Sequence, residues 1–305
     1  LGKIYNNAQL MGKIDLPTRI PTSFRFIASI STFDYYKKDK LFSKNDKPSF
    51  NSKDERFVKL MVALPFLANK RAEFSLGYGQ LEDNYFQSSV IDFDKDRSDR
   101  STYKLLGGSI GFYGSTLNTR QYATKGYLEK LIAQVFTGRE RFEPGNPQEG
   151  YSPSPQERQS WLQISYMKEA YHTMGPKFTL GWMAEALYSS KNFSENYTAT
   201  MMQAGEFAPT PHSKLMYNEA FRANQYVAAG IKPIYVLNDM FQFRTEFYGF
   251  TPIFPIKKNA LNKAYYGKAF SRFEYMGEVS VICHLPFGAI SAYVNHYSSP
   301  RREWN

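Results

Sequence analysis

The sequence has a single cysteine among its 305 residues, so it cannot form an internal disulfide. Cys283 belongs to the apolar side of an alternating stretch, which predicts a packed or lipid-facing thiol and not a catalytic nucleophile. The four histidines, His172, His212, His284 and His296, lack metal-ligand spacing, so we predict no metal site and no cofactor. His284 and His296 flank one turn, and we expect them to face each other across it in a polar cluster.

No uninterrupted apolar run approaches the roughly 18 residues that a membrane-spanning helix needs, which excludes a helical membrane protein. The first residues, LGKIY, include neither an initiator methionine nor the charged and apolar regions of a signal peptide. Because an exported protein is made with such a leader, we expect the chain to be a fragment whose N-terminal part is missing.

A basic helix or a recognisable nucleic-acid-binding module is also lacking, although the net charge is +10 and the pI about 9.3. Lys and Arg are spread through many loops, so we predict no nucleic-acid partner. If the chain lies in a membrane, cations at its rim meet lipid phosphates, and the predicted partners are then outer-membrane lipid and lipopolysaccharide. A basic surface that is merely solvated is the open alternative.

The sequence does contain an alternation of compact turns with long charged loops. LPFLAN at 64–69 and PFG at 286–288 are compact, whereas 37–56 is a long charged connection. Short connections on one rim and long ones on the other are typical of a transmembrane β-barrel. The breaks lie near Pro21, Asn69, Asn118, Gly175, Asp239 and Gly288. Two strands flank each break, so the predicted fold class is all-β, an antiparallel transmembrane barrel with about twelve strands.

The period-2 pattern assigns side chains to the two faces of the barrel wall. In residues 72–79, AEFSLGYG, Phe74, Leu76 and Tyr78 share one face, and Glu73 and Ser75 share the other. We predict that the first three face lipid and the last two face the lumen, because a carboxylate against hydrocarbon is costly. Alternation alone also fits a soluble β-sandwich. The stretches run to roughly ten residues or more, which favours strands that cross a bilayer.

A second stretch, residues 273–285, alternates in the same way. The further residues that we predict to face lipid are Phe273, Tyr275, Val279 and Val281. The further residues that we predict to face the lumen are Arg244, Glu246, Glu274 and Glu278. Aromatic residues make up 17% of the chain, yet its mean hydropathy is −0.49, which fits aromatic girdles around a polar interior.

One motif looks catalytic. Residues 107–111, GGSIG, match the G-x-S-x-G pattern, in which Ser109 would stand on a strained strand-to-helix turn. Residues 105–113 instead form one predicted strand with no helix after it, so we predict a structural Ser109 and no catalytic residue in this chain. Residues 92–96, DFDKD, resemble the start of a calcium loop, but Arg97 and Tyr103 stand where Gly and Glu are needed, which predicts a solvated loop.

The longest connection, residues 192–223, is rich in aromatic residues and methionine for a solvated loop. We expect it to fold over the barrel mouth or into the lumen. Two roles stay open for it: a packed cap, or a segment that gates the barrel or binds a partner.

Several segments resemble the C-terminal barrel of patatin-like phospholipases from Bacteroidetes outer membranes. They are GSTLNTRQYATKGY at 114–127, GRERFEP at 138–144, FSRFEYMGE at 270–278 and HYSSPRREWN at 296–305. In that family a patatin lipase domain and a small linker domain precede a barrel of the surface-antigen and assembly-factor superfamily. The resemblance runs through most of the chain.

The resemblance implies that residues 1–305 form an outer-membrane barrel domain, located in the bacterial outer membrane. Such a barrel would anchor an attached patatin-like phospholipase and help to export it. The implied partners are that attached domain, and further copies of the chain or other outer-membrane proteins. A stand-alone outer-membrane channel for solutes is the alternative function.

The chain also departs from the family pattern. A patatin site needs a glycine-rich oxyanion loop and a later Asp-Gly or Asp-Ala, and neither accompanies Ser109, so any hydrolysis is expected in residues before Leu1. Lys125-Gly126-Tyr127 matches the superfamily's Arg-Gly-Phe/Tyr signature only loosely and follows what we read as a short turn. Superfamily barrels have sixteen strands, so about four are expected outside this chain, and the final Asn305 suggests that the closing strand is absent.

Overall fold

The computed structural model describes residues 5–17, 19–35, 51–87, 96–146 and 158–299. The first eight strands are β1 (Tyr5–Leu16), β2 (Thr22–Tyr35), β3 (Asn51–Leu67), β4 (Lys70–Tyr85), β5 (Asp99–Ser115), β6 (Gly126–Glu143), β7 (Gln159–Thr173) and β8 (Phe178–Ser189). After β8 come the helix α1 (Tyr197–Gln203), β9 (Gly205–Glu206), the 3-10 turns Ser213–Leu215 and Glu219–Phe221, and β10 (Arg222–Ala223). The remaining strands are β11 (Gln225–Val236), β12 (Phe241–Pro252), β13 (Ile256–Lys258), β14 (Ala264–Tyr266), β15 (Glu274–Leu285) and β16 (Gly288–Tyr297).

Twelve of these strands form one antiparallel sheet in the order β1-β2-β3-β4-β5-β6-β7-β8-β11-β12-β15-β16. Each strand of this wall pairs with the next one along the chain, so the topology is an up-and-down meander. Within the described residues, β1 pairs only with β2 and β16 only with β15. The predicted fold class and the predicted twelve strands are confirmed.

The connections divide between two rims, as the turn pattern predicts. Residues 17–21, 68–69, 116–125, 174–177, 237–240 and 286–287 join strands on one side, here called the turn rim. The strand ends on the other side, here called the loop rim, are Tyr35 and Asn51, Tyr85 and Asp99, Glu143 and Gln159, Ser189 and Gln225, and Pro252 and Glu274. All six predicted breaks fall at the turn rim. Among the described residues, no helix is long and apolar enough to cross a membrane.

Side chains alternate between an exposed outer face and a buried inner face because successive strand residues point to opposite sides. On β12, Phe243 and Phe247 are exposed on the outer face, while Arg244 and Tyr248 are buried on the inner one. The sheet curves around its inner face. The hydroxyl of Tyr122, which lies between β5 and β6, therefore reaches Ser291 on β16 at 2.9 Å.

The apolar core lies inside this curved wall. Buried side chains of β8, β11, β12, β15 and β16 pack against residues of the chain between β8 and β11. The cluster consists of Met183, Leu187, Phe207, Ala220, Phe221, Ala223, Tyr226, Ala228, Tyr248, Phe250, Met276 and Tyr297. The outer face is also apolar but exposed, with Leu76 and Val135 each 58% accessible. This is the reverse of a water-soluble sheet, whose large apolar face is covered.

Candidate functional site

Residues 190–224, here called the inserted segment, enter the barrel interior from the loop rim. Its helix α1 begins where Asn196 caps the first turn, the side-chain oxygen accepting a hydrogen bond of 2.9 Å from the amide of Ala199. A helix of seven residues is too short to be stable alone. Residues 198–202 are all buried, so α1 is held by its packing within the barrel.

Polar contacts tie the inserted segment to the β4–β6 part of the wall. The side-chain amide of Asn196 donates to the hydroxyl of Tyr85 on β4 at 2.8 Å. The hydroxyl of Tyr103 on β5 donates to Ser194 at 2.9 Å. Tyr85 and Tyr103 are almost completely buried, so these bonds satisfy hydroxyl groups that water does not reach.

Aromatic contacts tie the same segment to the opposite part of the wall. The ring of Phe207 stacks on Phe250 of β12, with centroids 5.9 Å apart and an angle of 18° between planes. Phe207 also meets Tyr226 of β11 edge-on at 6.3 Å. Phe221 contacts Phe250 at 5.7 Å and Tyr297 of β16 at 6.2 Å. The inserted segment therefore spans the interior from β4 and β5 to β11, β12 and β16.

A buried lysine stands where the inserted segment leaves β8. The amine of Lys191 lies 4.6 Å from the centroid of the Tyr103 ring and 5.1 Å from that of Trp161, and it donates to Gln203 at 3.3 Å. Burial lowers the pKa of this amine to about 8, and the carboxylates of Glu140 and Asp83 oppose the shift. Lys191 therefore changes charge closer to neutral pH than an exposed lysine does.

A buried arginine closes the end of α1. Arg222 forms an ion pair of 2.7 Å with Glu206, and its guanidinium donates to the carbonyl of Met202 at 3.2 Å. A cation at a helix C-terminus satisfies carbonyl groups that lack helical partners. The pairing of β9 with β10 places Arg222 opposite Glu206, so the short hairpin positions this contact.

Residues 116–125, here called the lumenal turn, enter the interior from the turn rim. Arg244 of β12 donates to the carbonyl of Ala123 at 3.0 Å, and Gln242 donates to that of Tyr122 at 3.2 Å. Gly126 follows the turn with a φ of +89°, and a Cβ there would lie 2.1 Å from the carbonyl oxygen of Thr116. The reading of this connection as a short turn is therefore wrong. It is a ten-residue excursion that reaches the far wall.

The structure separates the residues predicted to face lumen and lipid onto opposite faces of the wall. The first group is buried or half-buried on the inner face and consists of Glu73, Ser75, Arg244, Glu246, Glu274 and Glu278. The second group is exposed on the outer face and consists of Phe74, Leu76, Tyr78, Phe273, Tyr275, Val279 and Val281. Arg244 and Glu246 are two positions apart on the inner face of β12 and form an ion pair of 3.0 Å with each other.

Ser109 lies in the middle of β5, and its hydroxyl is 2.6 Å from that of Ser75 on β4. The strand runs without a break from Asp99 to Ser115. A nucleophile elbow would instead require a sharp turn from strand to helix at Ser109. The calcium-like run at 92–96 lies outside the described residues except for Asp96. Within the described ranges, no three His, Cys, Asp or Glu side chains are grouped closely enough to hold a metal ion.

The expected contact between His284 and His296 is wrong. The register of β15 and β16 pairs His284 with Ala289 and His296 with Gly277, at opposite ends of the hairpin. The two rings also occupy opposite faces. His284 bonds to Gln242 on the inner face, and His296 lies beside the outward ring of Tyr275 at 5.9 Å.

Lys191 and Arg222 carry buried contacts that the sequence pattern does not reveal. Lys191 directly precedes the long connection 192–223 and Arg222 lies near its end, and a cation in a long loop is normally exposed to solvent. Their partners follow from tertiary structure, since Lys191 meets Tyr103 and Trp161 only after the four strands β5, β6, β7 and β8 have paired. The one available signal was the unusual content of Phe, Tyr and Met in residues 192–223.

Neither a protein-family model nor a curated protein sequence matches this chain. Among solved structures, it is similar to BamA from Haemophilus ducreyi lacking POTRA domains 1–3, with a TM-score of 0.60 and 12% sequence identity. The match covers 96% of this chain and 58% of that one. The ferric preacinetobactin receptor BauA from Acinetobacter baumannii matches with a TM-score of 0.46 and 11% identity, covering 96% of this chain and 46% of that one.

The similarity to BamA shows the fold, which is that of an outer-membrane β-barrel. It agrees with the sheet order and the two-rim arrangement described above. The chain spans less than two thirds of the length of the BamA chain that it matches.

Proposed function

We propose that this chain is a bacterial outer-membrane barrel domain that anchors an attached domain and does not serve as an open pore. The observation that carries the proposal is the occupied interior. The inserted segment enters from the loop rim and the lumenal turn from the turn rim. A solute channel needs a continuous water-filled path, whereas an anchor needs only a stable wall.

The contacts inside the barrel support a lasting closure. Phe207 and Phe221 are almost fully buried against the wall, and burial of such a ring stabilises by about 2–3 kcal/mol. Hydrogen bonds from Asn196 and Tyr103 add directional contacts on the other side. A segment held at both sides opens only when both sets of contacts break.

In this proposal the exposed outer face lies against lipid. Phe74, Leu76 and Tyr78 then contact hydrocarbon, while Glu73 and Ser75 stay within the barrel. The opposite orientation would put the carboxylate of Glu73 in hydrocarbon, where an unpaired charge is costly. In the structure Glu73 instead forms a hydrogen bond of 2.6 Å with Arg71.

The attached domain that we propose is a patatin-like phospholipase in the same polypeptide, which the barrel also helps to export. The support is the sequence resemblance of residues 114–127 and 138–144 to such barrels. Any hydrolysis then belongs to that domain, because Ser109 lies within a strand beside Ser75. Other outer-membrane proteins or a second copy are proposed partners for the sheet edges at β1 and β16.

Planar-bilayer recording tests the closure. The reconstituted chain is expected to give no steady ion conductance, whereas a variant in which a short Gly-Ser linker replaces residues 196–221 is expected to conduct. Phe207→Ala/Phe221→Ala keeps the backbone and should produce brief openings. Steady conductance by the unaltered chain would favour the stand-alone solute channel.

The size of the native polypeptide tests the anchoring role. An antibody raised against this 35.2 kDa chain is expected to detect a distinctly larger polypeptide in the outer-membrane fraction of the source bacterium. A fluorophosphonate probe should label that polypeptide outside the present sequence. A native band of about the same mass as this chain, without label, would contradict the proposal.

A further inference from the structure

The outer face of β3–β7 carries an apolar band with a sharp boundary towards the loop rim. Outward residues of the band include Val58, Leu76, Leu106 and Val135, all exposed. On β4 the band lies between Lys70 and Gln80, ten positions apart. Ten residues at about 3.4 Å each, tilted by about 40–45°, span about 25 Å, the usual height of the lipid-facing band.

A row of cations follows this boundary. Arg56 pairs in register with Gln80, Gln80 with Lys104, and Lys104 with Arg139. The three cations are exposed and point outward, like the apolar residues two positions away on each strand. Arg158, just before β7, continues the row and is fixed by a hydrogen bond of 2.9 Å to Thr137. Arg56, Lys104, Arg139 and Arg158 are here called the cationic row.

Like charges face each other in this row without a compensating acid. Lys104 and Arg139 are direct cross-strand partners, an arrangement that destabilises a sheet. Among the described residues, no carboxylate forms an ion pair with either of them or with Arg56. Three acids lie on the same face just beyond the row: Glu82 pairs with Arg100 at 3.3 Å, Glu143 pairs with Arg141 at 2.9 Å, and Asp54, two positions from Arg56, accepts a hydrogen bond of 2.5 Å from Thr32.

The opposite part of the wall has no such row. In the described strands β8, β11, β12, β15 and β16, no outward position carries Lys or Arg. Their outward residues towards the loop rim include Tyr188 and Tyr275. The cationic row is therefore a local feature of β3–β7 and not a uniform basic surface.

We propose that the cationic row binds the phosphate groups of a phosphorylated membrane lipid whose acyl chains lie on the apolar band below it. Guanidinium groups match phosphate oxygens in geometry and charge, and a bound phosphate would relieve the repulsion between Lys104 and Arg139. Val58, Tyr78 and Leu106 lie directly below on the same face and would contact the acyl chains. The inference rests on the membrane location in the proposed function and adds a specific lipid site to it.

The test uses the whole chain in dodecyl maltoside micelles with bisphosphorylated lipid A as the probe, and native mass spectrometry as the readout of binding. Arg56→Gln/Lys104→Gln/Arg139→Gln is expected to weaken binding about tenfold or more, given the strength of cation contacts with anionic lipid. Lipid A that lacks both phosphates should bind the unaltered chain weakly. Its affinity should be similar to the affinity of bisphosphorylated lipid A for the triple variant. Circular dichroism checks that each variant keeps its β-structure.

The control removes three exposed cations at the turn rim, Arg120→Gln/Lys125→Gln/Lys177→Gln, and is expected to change binding less than about twofold. Equal weakening in both triple variants would overturn the proposal, because diffuse charge would then explain the binding. If millimolar inorganic phosphate displaces lipid A completely, the row binds free phosphate and the proposal of a lipid ligand is wrong. Lipid binding is measured in micelles and does not depend on whether the barrel conducts ions. A negative binding result therefore contradicts the lipid site, whereas steady conductance in bilayers contradicts the proposed closed interior.

Discussion

The side-chain amide of Asn196 donates a hydrogen bond of 2.8 Å to the hydroxyl of Tyr85, 111 positions away in the sequence. The oxygen of the same side chain accepts from the amide of Ala199 at 2.9 Å and caps α1. One residue thus both starts the helix and joins it to β4. Formation of α1 and docking of the inserted segment are therefore coupled.

Asn196→Ala is expected to destabilise the docked segment by about 1–2 kcal/mol, since it removes a helix cap and a buried hydrogen bond. Faster hydrogen exchange at the amides of Ala199 and Thr200 measures the effect. Tyr85→Phe should cost less, because the cap is retained. Asn192→Ala changes an exposed asparagine nearby, and an equal effect there would contradict the coupling.

The charge of Lys191 should make the docking pH-dependent. Its pKa in the folded protein is about 8 against 10.5 in a solvated lysine, so the undocked segment binds more protons between these values. Stability therefore rises with pH across this window, by up to roughly 3 kcal/mol, and is lowest below pH 8. Hydrogen exchange from pH 7 to pH 10 should show the rise. Lys191→Met should abolish it and the exposed Lys214→Met should not.

Ser109→Ala is expected to leave the isolated chain as inactive as before towards phospholipids and short-chain esters. Its hydroxyl bonds to Ser75 within the sheet, so its loss removes about 1 kcal/mol of stability. Fluorophosphonate labelling and ester hydrolysis are the measurements. Hydrolysis by the unaltered chain that disappears in Ser109→Ala would contradict this prediction.

Spin labels at neighbouring positions of β15 should report opposite environments. In a Cys283→Ser background, a label at Val279 is expected to be relaxed strongly by oxygen dissolved in lipid, and a label at Ser280 weakly. Val279 is exposed on the outer face, whereas Ser280 is 2% accessible on the inner one. Stronger relaxation at Ser280 would reverse the proposed orientation of the wall.

The two edges of the sheet should need further pairing partners in a membrane. Within the described residues, β1 and β16 each pair on one side only, and unpaired backbone groups cost several kcal/mol each in lipid, by rough estimate. The isolated chain is therefore expected to migrate alike on gels with and without heating. Heat-modifiable migration, typical of a closed barrel, would show that the edges need no additional chain.

The wall was largely predictable, and the interior only in part, since the composition of residues 192–223 predicted a segment over the barrel mouth or in the lumen but not its contacts. Alternation in residues 72–79 and 273–285, with the six turn signals, is local information, and the strands formed where it predicted them. The failure at His284 and His296 came from the register. In this hairpin Leu285 pairs with Gly288, so two residues face each other only if they are equally far from the turn. His284 is one position from Leu285, whereas His296 is eight positions from Gly288, so they do not pair.

The sequence by itself determined the number of strands, their two faces and the division into two rims, because a period of two residues and a turn are properties of adjacent residues. Only the tertiary structure decided that residues 190–224 and 116–125 fill the interior. It also decided that Lys191 is buried and that Lys104 stands opposite Arg139. These relationships join residues far apart in the chain. They exist only after the strands have paired in one register and curved into a wall, which no local pattern encodes.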